Sequence, residues 1–240
     1  MTPFKTAGLV LGFVSLLASS APVGAADPAP PAPEVLHYVW RLEGFGGRLA
    51  SLFVPGDGNG TLSTGIGPSG KLQSELMITS DSRSGEFWRY GAELDPATHA
   101  TVRAWSSYHF RDKSGSKDLP VAEPGAVDIS SAIYLIRQMP PKQPMPMRIW
   151  TDGRLYPVRV VPSGLERASL RVPGDGTRER VVRRYVIEGV EQPGERFWKG
   201  HLEIVLSEDA VHTPIEIAVK VSLASLRLRL VDGVERSAGN

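Results

Sequence analysis

Cysteine is absent from the 240-residue sequence, and its absence excludes several kinds of structure and site. No disulfide can compensate for a small core, no thiolate can act as a nucleophile or metal ligand, and no lipid can be attached to an N-terminal cysteine. An excess of charge is also lacking, since 27 Lys and Arg nearly balance 26 Asp and Glu. Because nucleic-acid binding normally needs a basic domain or stripe, we expect no nucleic acid among the partners.

The N-terminus has the pattern of a secretory signal peptide. Lys5 precedes the apolar run Ala7 to Ala18, and small residues follow at positions 23–26. The run is well short of the roughly 20 residues that span a bilayer, so a cleaved signal over residues 1–26 is favoured over an anchor. No later stretch is apolar enough to cross a membrane. The sequence predicts a periplasmic protein, with full secretion as the alternative, and no integral membrane segment after signal cleavage.

Composition divides the rest of the chain into three parts. Residues 27–34 begin D-P-A-P-P-A-P, which favours an extended polyproline spacer without packed side chains. Residues 35–234 have the composition of a globular protein and are predicted to form a single β-rich domain. Residues 235–240 are predicted to be a polar tail.

A two-residue period dominates the predicted domain and is typical of strands with one buried face. The runs 198–206, 215–223 and 226–230 show it best, and in the last run leucines alternate with Arg227 and Arg229. This alternation predicts an antiparallel sheet with one face in water. We expect the five tryptophans to fall one to a strand and to pack in the core rather than line a ligand cavity: Trp40, Trp88, Trp105, Trp150 and Trp198.

Other segments depart from the strand pattern. Val-Pro-Gly-Asp-Gly occurs at 54–58 and at 172–176, and it predicts two hairpin turns more than it supports an internal duplication. The glycine-rich stretch 56–70 is predicted to be a long flexible excursion. A short helix is predicted near residues 128–138, because Asp128 can cap it and four apolar residues share one helical face. A series of prolines from Pro140 onward would end this helix.

No motif in the sequence assigns a catalytic, cofactor-binding or metal-binding residue. Gly65, Gly67 and Gly70 match G-x-G-x-x-G but lack the strand and helix of a dinucleotide site. The five histidines lack the spacing of a metal site, and we expect surface or structural roles for them: His37, His99, His109, His201 and His212. The arginines at 178, 180, 183 and 184 could dock an anionic head group, although a solvated strand face is favoured. We therefore expect no cofactor and no enzyme activity, while a non-local catalytic set stays open.

Several segments resemble the bacterial domain-of-unknown-function 3108 family. Asp128-Ile-Ser-Ser-Ala-Ile-Tyr-Leu-Ile-Arg137 is similar to its segment of aspartate, small residue, serine, tyrosine and arginine. The stretch 206–217 followed by 225–230 resembles its closing strands, and 38–44 with 47–50 its opening strand and turn. The resemblance covers nearly all of the chain after the signal. It implies an exported protein built on a single curved antiparallel sheet, rolled or forming an open barrel, with no established chemistry.

These expectations combine into one leading hypothesis and two alternatives. The leading hypothesis is an uncharacterised, non-catalytic periplasmic protein of the cell envelope that binds a lipidic or other apolar ligand on its curved sheet. The first alternative is a protein-interaction module of an envelope assembly, with an exposed edge strand that accepts a partner strand. The second is a hydrolase with a non-local catalytic set.

Overall fold

A computed structural model of the chain describes residues 33–43, 56–121, 123, 125–151, 153–172, 176–221, 224–231 and 235–236. The predicted signal peptide, residues 1–26, lies outside the described residues, as do positions 27–32 of the predicted spacer and 237–240 of the predicted tail. No helix among the described residues is long and apolar enough to cross a membrane.

The described residues form fourteen strands and one helix. Seven strands precede the helix: β1 Glu34–Glu43, β2 Asp57–Ile66, β3 Leu72–Ser80, β4 Phe87–Leu94, β5 Thr101–Phe110, β6 Lys113–Pro120 and β7 Ala126–Val127. Helix α1 spans Ile129–Gln138. Seven strands follow it: β8 Met145–Thr151, β9 Arg154–Val172, β10 Gly176–Gly189, β11 His201–Ser207, β12 Pro214–Val221, β13 Ala224–Leu230 and β14 Glu235–Arg236. The mostly β fold with one short helix is therefore confirmed.

All of these strands belong to one sheet, in the order β6-β5-β4-β3-β2-β1-β13-β12-β11-β10-β9-β8-β7. The last long strand, β13, pairs with the first, β1, and this pairing joins the two halves of the chain. Neighbours on this path are antiparallel except β7 and β8, which are parallel. Strand β14 pairs with the start of β1, so Glu235 and Arg236 of the predicted tail belong to the sheet. The single curved sheet is confirmed, and it is open because β6 and β7 end it.

Helix α1 fills the inside of the curve. It packs against β3 and β4 from one half of the sheet and against β7 and β8 from the other. Its residues Ala132, Ile133 and Ile136 are fully buried, in a core shared with Tyr38 and Trp40 of β1. A helix buries one apolar stripe, and a strand buries every second residue. The apolar residues that give the sequence its helical and two-residue periods therefore pack in this one core.

The prediction of a flexible excursion over residues 56–70 is wrong. Residues 57–66 form β2, which pairs along its length with β1 and with β3. The glycines of this strand make room for large neighbours, because a Cβ at Gly58 would overlap the Trp40 indole and one at Gly60 would overlap the Leu228 side chain. Only the end of the stretch is a turn, where Gly70 has a φ of +73° between β2 and β3.

The strand predicted to begin at Trp198 begins at His201 instead. Residues 190–200 form a loop with Gly194 at a φ of +80°. The Trp198 ring folds back over Gly200, where a Cβ would overlap it, and packs against the core without belonging to a strand. Trp198 and Gly200 therefore stand two residues apart because the ring packs on the glycine, and this spacing does not indicate a strand.

The second Val-Pro-Gly-Asp-Gly segment joins the hairpin of β9 and β10, since Val172 pairs with Gly176. The first leads into β2, where Asp57 pairs with Arg41 of β1. The turn predicted at 172–176 is confirmed by its pairing. The turn predicted at 54–58 is not found in its described part, because Asp57 and Gly58 are already paired in β2; positions 54–55 and 173–175 lie outside the described residues.

Candidate functional site

The inside of the curved sheet is occupied by packed side chains. Trp40 and Trp88 pack in the main core, and Trp150 packs in a second cluster with Leu72, Leu94 and other residues. These three tryptophans have the core role that the sequence favoured. Trp105 differs, because it lies on the opposite face of the sheet from the core.

A groove with a volume of about 590 Å³ lies where the second half of the sheet bends. It is lined by residues of six neighbouring strands: Val39, Glu166, Ala168, Ser169, Val182, Arg184, Val205, Ile215, Glu216, Arg229, Leu230 and Val231. In a flat sheet β1 and β9 would be about 24 Å apart, because five steps of 4.7–4.9 Å separate them. One groove reaches both strands only because the sheet folds toward itself here. We call this the outer groove.

The floor of the outer groove is apolar. Val182, Val205 and Ile215 are 1%, 4% and 4% exposed and form a hydrophobic cluster separate from the main core. Ala168 and Leu230 pack against this cluster. These three side chains are almost completely withdrawn from water, so the apolar surface that the groove exposes comes from other lining residues such as Val39, which is 40% exposed.

Two irregularities in strand pairing place these residues together. The register shifts between Val205 and Leu206 against β12, and again between Arg183 and Tyr185 against β9. A bulge re-aims side chains and bends its strand. Both shifts lie beside a proline of the partner strand, Pro214 in the first case and Pro162 in the second, and proline disturbs a ladder because it lacks an N–H group.

Paired charges surround the floor. The Arg184 guanidinium lies 2.8 Å from Glu203, 3.6 Å from Glu166 and 3.8 Å from Glu216. Glu216 also pairs with Arg227 and with Arg229, and Glu43 pairs with the same two arginines. The rim of the groove therefore holds both signs of charge in a connected network.

The same network sets the protonation of Glu203. Burial alone would raise the pKa of its carboxyl, but hydrogen bonds from His201 and Arg184 lower this pKa below its ordinary value. Glu203 is consequently ionised at neutral pH.

The arginine cluster predicted from residues 178–184 divides between two roles. Arg180 pairs with Asp209 and Arg183 with Glu208 near the β11–β12 turn, which fits a solvated face. Arg184 instead lines the outer groove, while the side chain of Arg178 lies outside the described structure. Sequence reasoning missed Val205 and Ile215 as groove residues. The sequence contained one sign of the groove: Val205 is apolar although it lies on the face of β11 that carries the polar residues His201 and Glu203.

The histidines are placed apart from one another. His201 Nε2 lies 3.0 Å from Glu203 Oε1, His109 Nδ1 lies 2.7 Å from Ser114 Oγ, and the His99 ring meets the edge of Tyr134. The His109–Ser114 contact joins directly paired residues of the β5–β6 hairpin at an exposed position, so strand pairing accounts for it. Within the described ranges, no group of three His, Asp or Glu side chains is arranged to hold a metal ion.

Comparisons with known proteins define the fold of the chain. No protein-family model and no curated protein matches it. It is similar to the crystal structure of a beta-barrel-like protein of domain of unknown function DUF1849 from Brucella abortus. The two share 10% sequence identity at a TM-score of 0.52, over 86% of this chain and 98% of that one. The likeness shows a beta-barrel-like fold, in which this chain has one large, curved, open sheet and a single helix.

Proposed function

We propose that the protein is an exported, non-catalytic binding protein of the bacterial cell envelope that holds an apolar or amphiphilic ligand in the outer groove. The observation that carries this proposal is the apolar floor of Val182, Val205 and Ile215 beneath an open volume of about 590 Å³. Ligand sites commonly have volumes of about 300–1,000 Å³, an apolar lining and a few polar groups that fix orientation. The outer groove has each of these properties.

The chemistry of the rim favours a single-chain amphiphile with an anionic head group. An acyl chain in the groove would cover the apolar surface that remains in water, such as that of Val39, at a gain of about 25 cal/mol per Å². Arg229 is 52% exposed at the rim and can add a hydrogen bond to an anion while it remains paired with Glu43. A soluble protein that receives such a ligand from a membrane fits the location proposed from the N-terminal sequence, the periplasm. Membership of the domain-of-unknown-function 3108 family is part of the same proposal and rests on the sequence segments alone.

The test is a titration of the chain from residue 27 onward with cis-parinaric acid, a fluorescent fatty acid. We expect a Kd of about 10 μM or tighter for the unmodified chain. Ala168→Phe places a ring in the groove and is expected to weaken binding at least about tenfold. Leu165→Phe is the matched control, since Leu165 lies on the same strand, is 59% exposed and does not line the groove.

Equal binding by all three proteins, or no binding by the unmodified chain, would contradict the proposal. Native mass spectrometry of the protein purified from its own cells, followed by organic extraction, would then identify the natural ligand. A measured mass equal to that of the protein alone would favour the protein-interaction role described below.

A protein-interaction role is the second candidate, and β6 is the observation that favours it. This strand ends the sheet, pairs with β5 on one side, and has all eight residues exposed or half-exposed. A free edge can accept a partner strand, and Lys113 and Lys117 are the kind of residue that guards it against unspecific pairing. Because the chain has no native cysteine, Lys113→Cys can carry a single photo-crosslinker at an exposed position of β6. A crosslink to one discrete protein that Thr61→Cys, on the doubly paired strand β2, does not give would support this role, whereas equal crosslinking would contradict it.

A further inference from the structure

A second, polar groove lies on the first half of the sheet, on the face away from the core. Strand register places Glu75 of β3, Gly91 of β4, Trp105 of β5 and Asp118 of β6 side by side in one row. The row forms the middle of a groove of about 410 Å³. We call this the Trp105 groove.

The indole of Trp105 lies across Gly91. A Cβ at Gly91 would overlap three neighbouring ring atoms, Cε2, Cζ2 and Nε1, so a side chain there would displace the ring. The ring nitrogen Nε1 donates a hydrogen bond to Glu75 Oε2 at 3.1 Å and fixes the orientation of the ring. One side of the indole therefore rests on the backbone of β4, and the other side is turned to the groove.

Hydrogen-bonding side chains stand on both sides of the indole, and their positions are already fixed. Glu93, 8% exposed, accepts hydrogen bonds of 3.1 Å from Ser69 and from Gln73. Arg89 Nε donates to Glu75 at 2.7 Å. Arg103 and Asp118 form a two-point pair with both distances at 2.7 Å. A carboxylate can accept about four hydrogen bonds, so Glu75 and Glu93 retain the capacity to accept more.

The balance of charge indicates the class of ligand. Three acidic and two basic side chains line the Trp105 groove, and four of the five are held in the two ion pairs described above: Glu75, Glu93, Asp118, Arg89 and Arg103. A charged ligand would have to compete with these pairs, whereas a neutral ligand rich in hydroxyl groups would add hydrogen bonds to them. A flat, half-buried indole beside fixed donors and acceptors suits a molecule with one apolar face and polar edges.

We propose that the Trp105 groove binds a neutral carbohydrate. A pyranose ring presents C–H groups on one face, which pack on the indole, and hydroxyls around its edge, which reach Gln73, Glu93 and Arg103. This site goes beyond the proposed function, because the Trp105 groove and the outer groove share no lining residue and lie on different halves of the sheet.

The test uses three neutral probes: cellotetraose, maltotetraose and tetra-N-acetylchitotetraose. Each is titrated into the chain from residue 27 onward by calorimetry and by saturation-transfer NMR, up to about 10 mM. At least one probe is expected to bind with a Kd of about 1 mM or tighter. Trp105→Ala is expected to weaken that binding at least about tenfold, and Trp105→Phe is expected to weaken it less because a ring remains.

The Gly91→Ala variant tests whether the position of the indole over Gly91, and not only the presence of a tryptophan, is needed for sugar binding. It keeps Trp105 but places a methyl group where the indole lies, so the same loss of sugar binding is expected. Val39→Ala, in the outer groove, is the control and is expected to bind sugar like the unmodified chain. Thermal unfolding of every variant shows that the fold is intact, and cis-parinaric acid binding of the Trp105 and Gly91 variants shows that the outer groove is unchanged.

Two results would overturn the proposal. One is the absence of binding by all three probes at 10 mM, about ten times the expected Kd. The other is a bound sugar whose affinity is the same in Trp105→Ala and Gly91→Ala, since the sugar would then lie elsewhere.

Discussion

Replacing Asp128 by alanine removes the acceptor that organises the first turn of helix α1. The Asp128 carboxylate is 1% exposed and accepts hydrogen bonds from the backbone amides of Ser131 at 2.7 Å and Ser130 at 3.2 Å. Both serine hydroxyls also lie within hydrogen-bond distance of it. The Ser130 hydroxyl reaches the carbonyl of Ser74 in β3 at 2.8 Å, so the cap is tied to the sheet.

The cost of Asp128→Ala follows from the groups that lose a partner. The hydroxyls have other acceptors, because Ser130 can turn to Ser74 and Ser131 can turn to the carbonyl of residue 128. The two backbone amides have none in this first turn, and each buried unpaired donor costs about 1–3 kcal/mol. We expect the free energy of unfolding to fall by about 3–4 kcal/mol, against about 1 kcal/mol for an ordinary exposed cap.

The pH dependence of the same site has a defined sign. Burial raises the pKa of the Asp128 carboxyl, and the hydrogen bonds from Ser131 and Ser130 offset only part of this rise. The folded state therefore binds more protons than the unfolded state between the ordinary pKa of 3.8 and the raised value. Stability contributed by this group falls as pH rises through that window. Asp128→Asn keeps an oxygen acceptor and cannot ionise, so its stability relative to the unmodified chain should improve from pH 4 to pH 7.

Urea unfolding followed by tryptophan fluorescence, at pH 4 and at pH 7, measures both effects. Asp118→Ala is the control, since Asp118 is 46% exposed in a surface ion pair and its loss should cost no more than about 1 kcal/mol. The account of a buried, doubly bonded cap would be refuted by a cost below about 1 kcal/mol for Asp128→Ala. A difference between Asp128→Asn and the unmodified chain that does not change with pH would refute the raised pKa.

Two further predictions concern a contact between helix α1 and β1 and a contact between β2 and β3. Arg137→Met should lower the free energy of unfolding by about 3–5 kcal/mol, because Glu34, 11% exposed, is left without its partner. In urea unfolding, adding Glu34→Gln to this variant should restore part of the lost stability. If the double variant recovers no stability, the pairing is contradicted. Gly58→Ala should cost about 1–3 kcal/mol, because the added methyl would overlap the carbonyl of Thr79. Thermal melting should show no such loss for Gly164→Ala, where the space is open, and equal losses would contradict the packing argument.

The elements that depend on local signals were predictable from the sequence. The capping of α1 by Asp128 and the alternation of leucine and arginine along β13 each lie within a few residues, so a short window contains the whole pattern. Strand β2 was missed because glycine is normally depleted in strands. Its glycines are there because Trp40 and Leu228, far away in sequence, pack against them, and a short window contains no trace of that contact.

The grooves depend on strand order, which no local pattern encodes. Val205 is an apolar residue on a wet face of β11, but only the pairing of β13 with β1 and the two shifts of register bring it into a groove with Val39 and Ala168. The Trp105 groove depends on a glycine of one strand lying directly beside a tryptophan of the next. Trp105 is one of five tryptophans in the sequence, and no feature of the sequence around it indicates that it alone lies on a strand face away from the core.

The position of α1 explains why both proposed sites lie away from the core. A curved sheet can enclose a ligand only if its inside is empty, and here the helix and the large side chains of β1 fill that space. Enlarging the inside would remove contacts that hold the two halves of the sheet together, so ligand binding there would oppose folding. The exposed side chains of the two grooves carry less of this cost, since Arg103 and Asp118 are 52% and 46% exposed and Arg229 is 52% exposed, and such surface pairs contribute little to stability. Substitutions of these exposed groove residues should therefore change binding much more than stability, whereas substitutions at Asp128 or Arg137 should do the reverse.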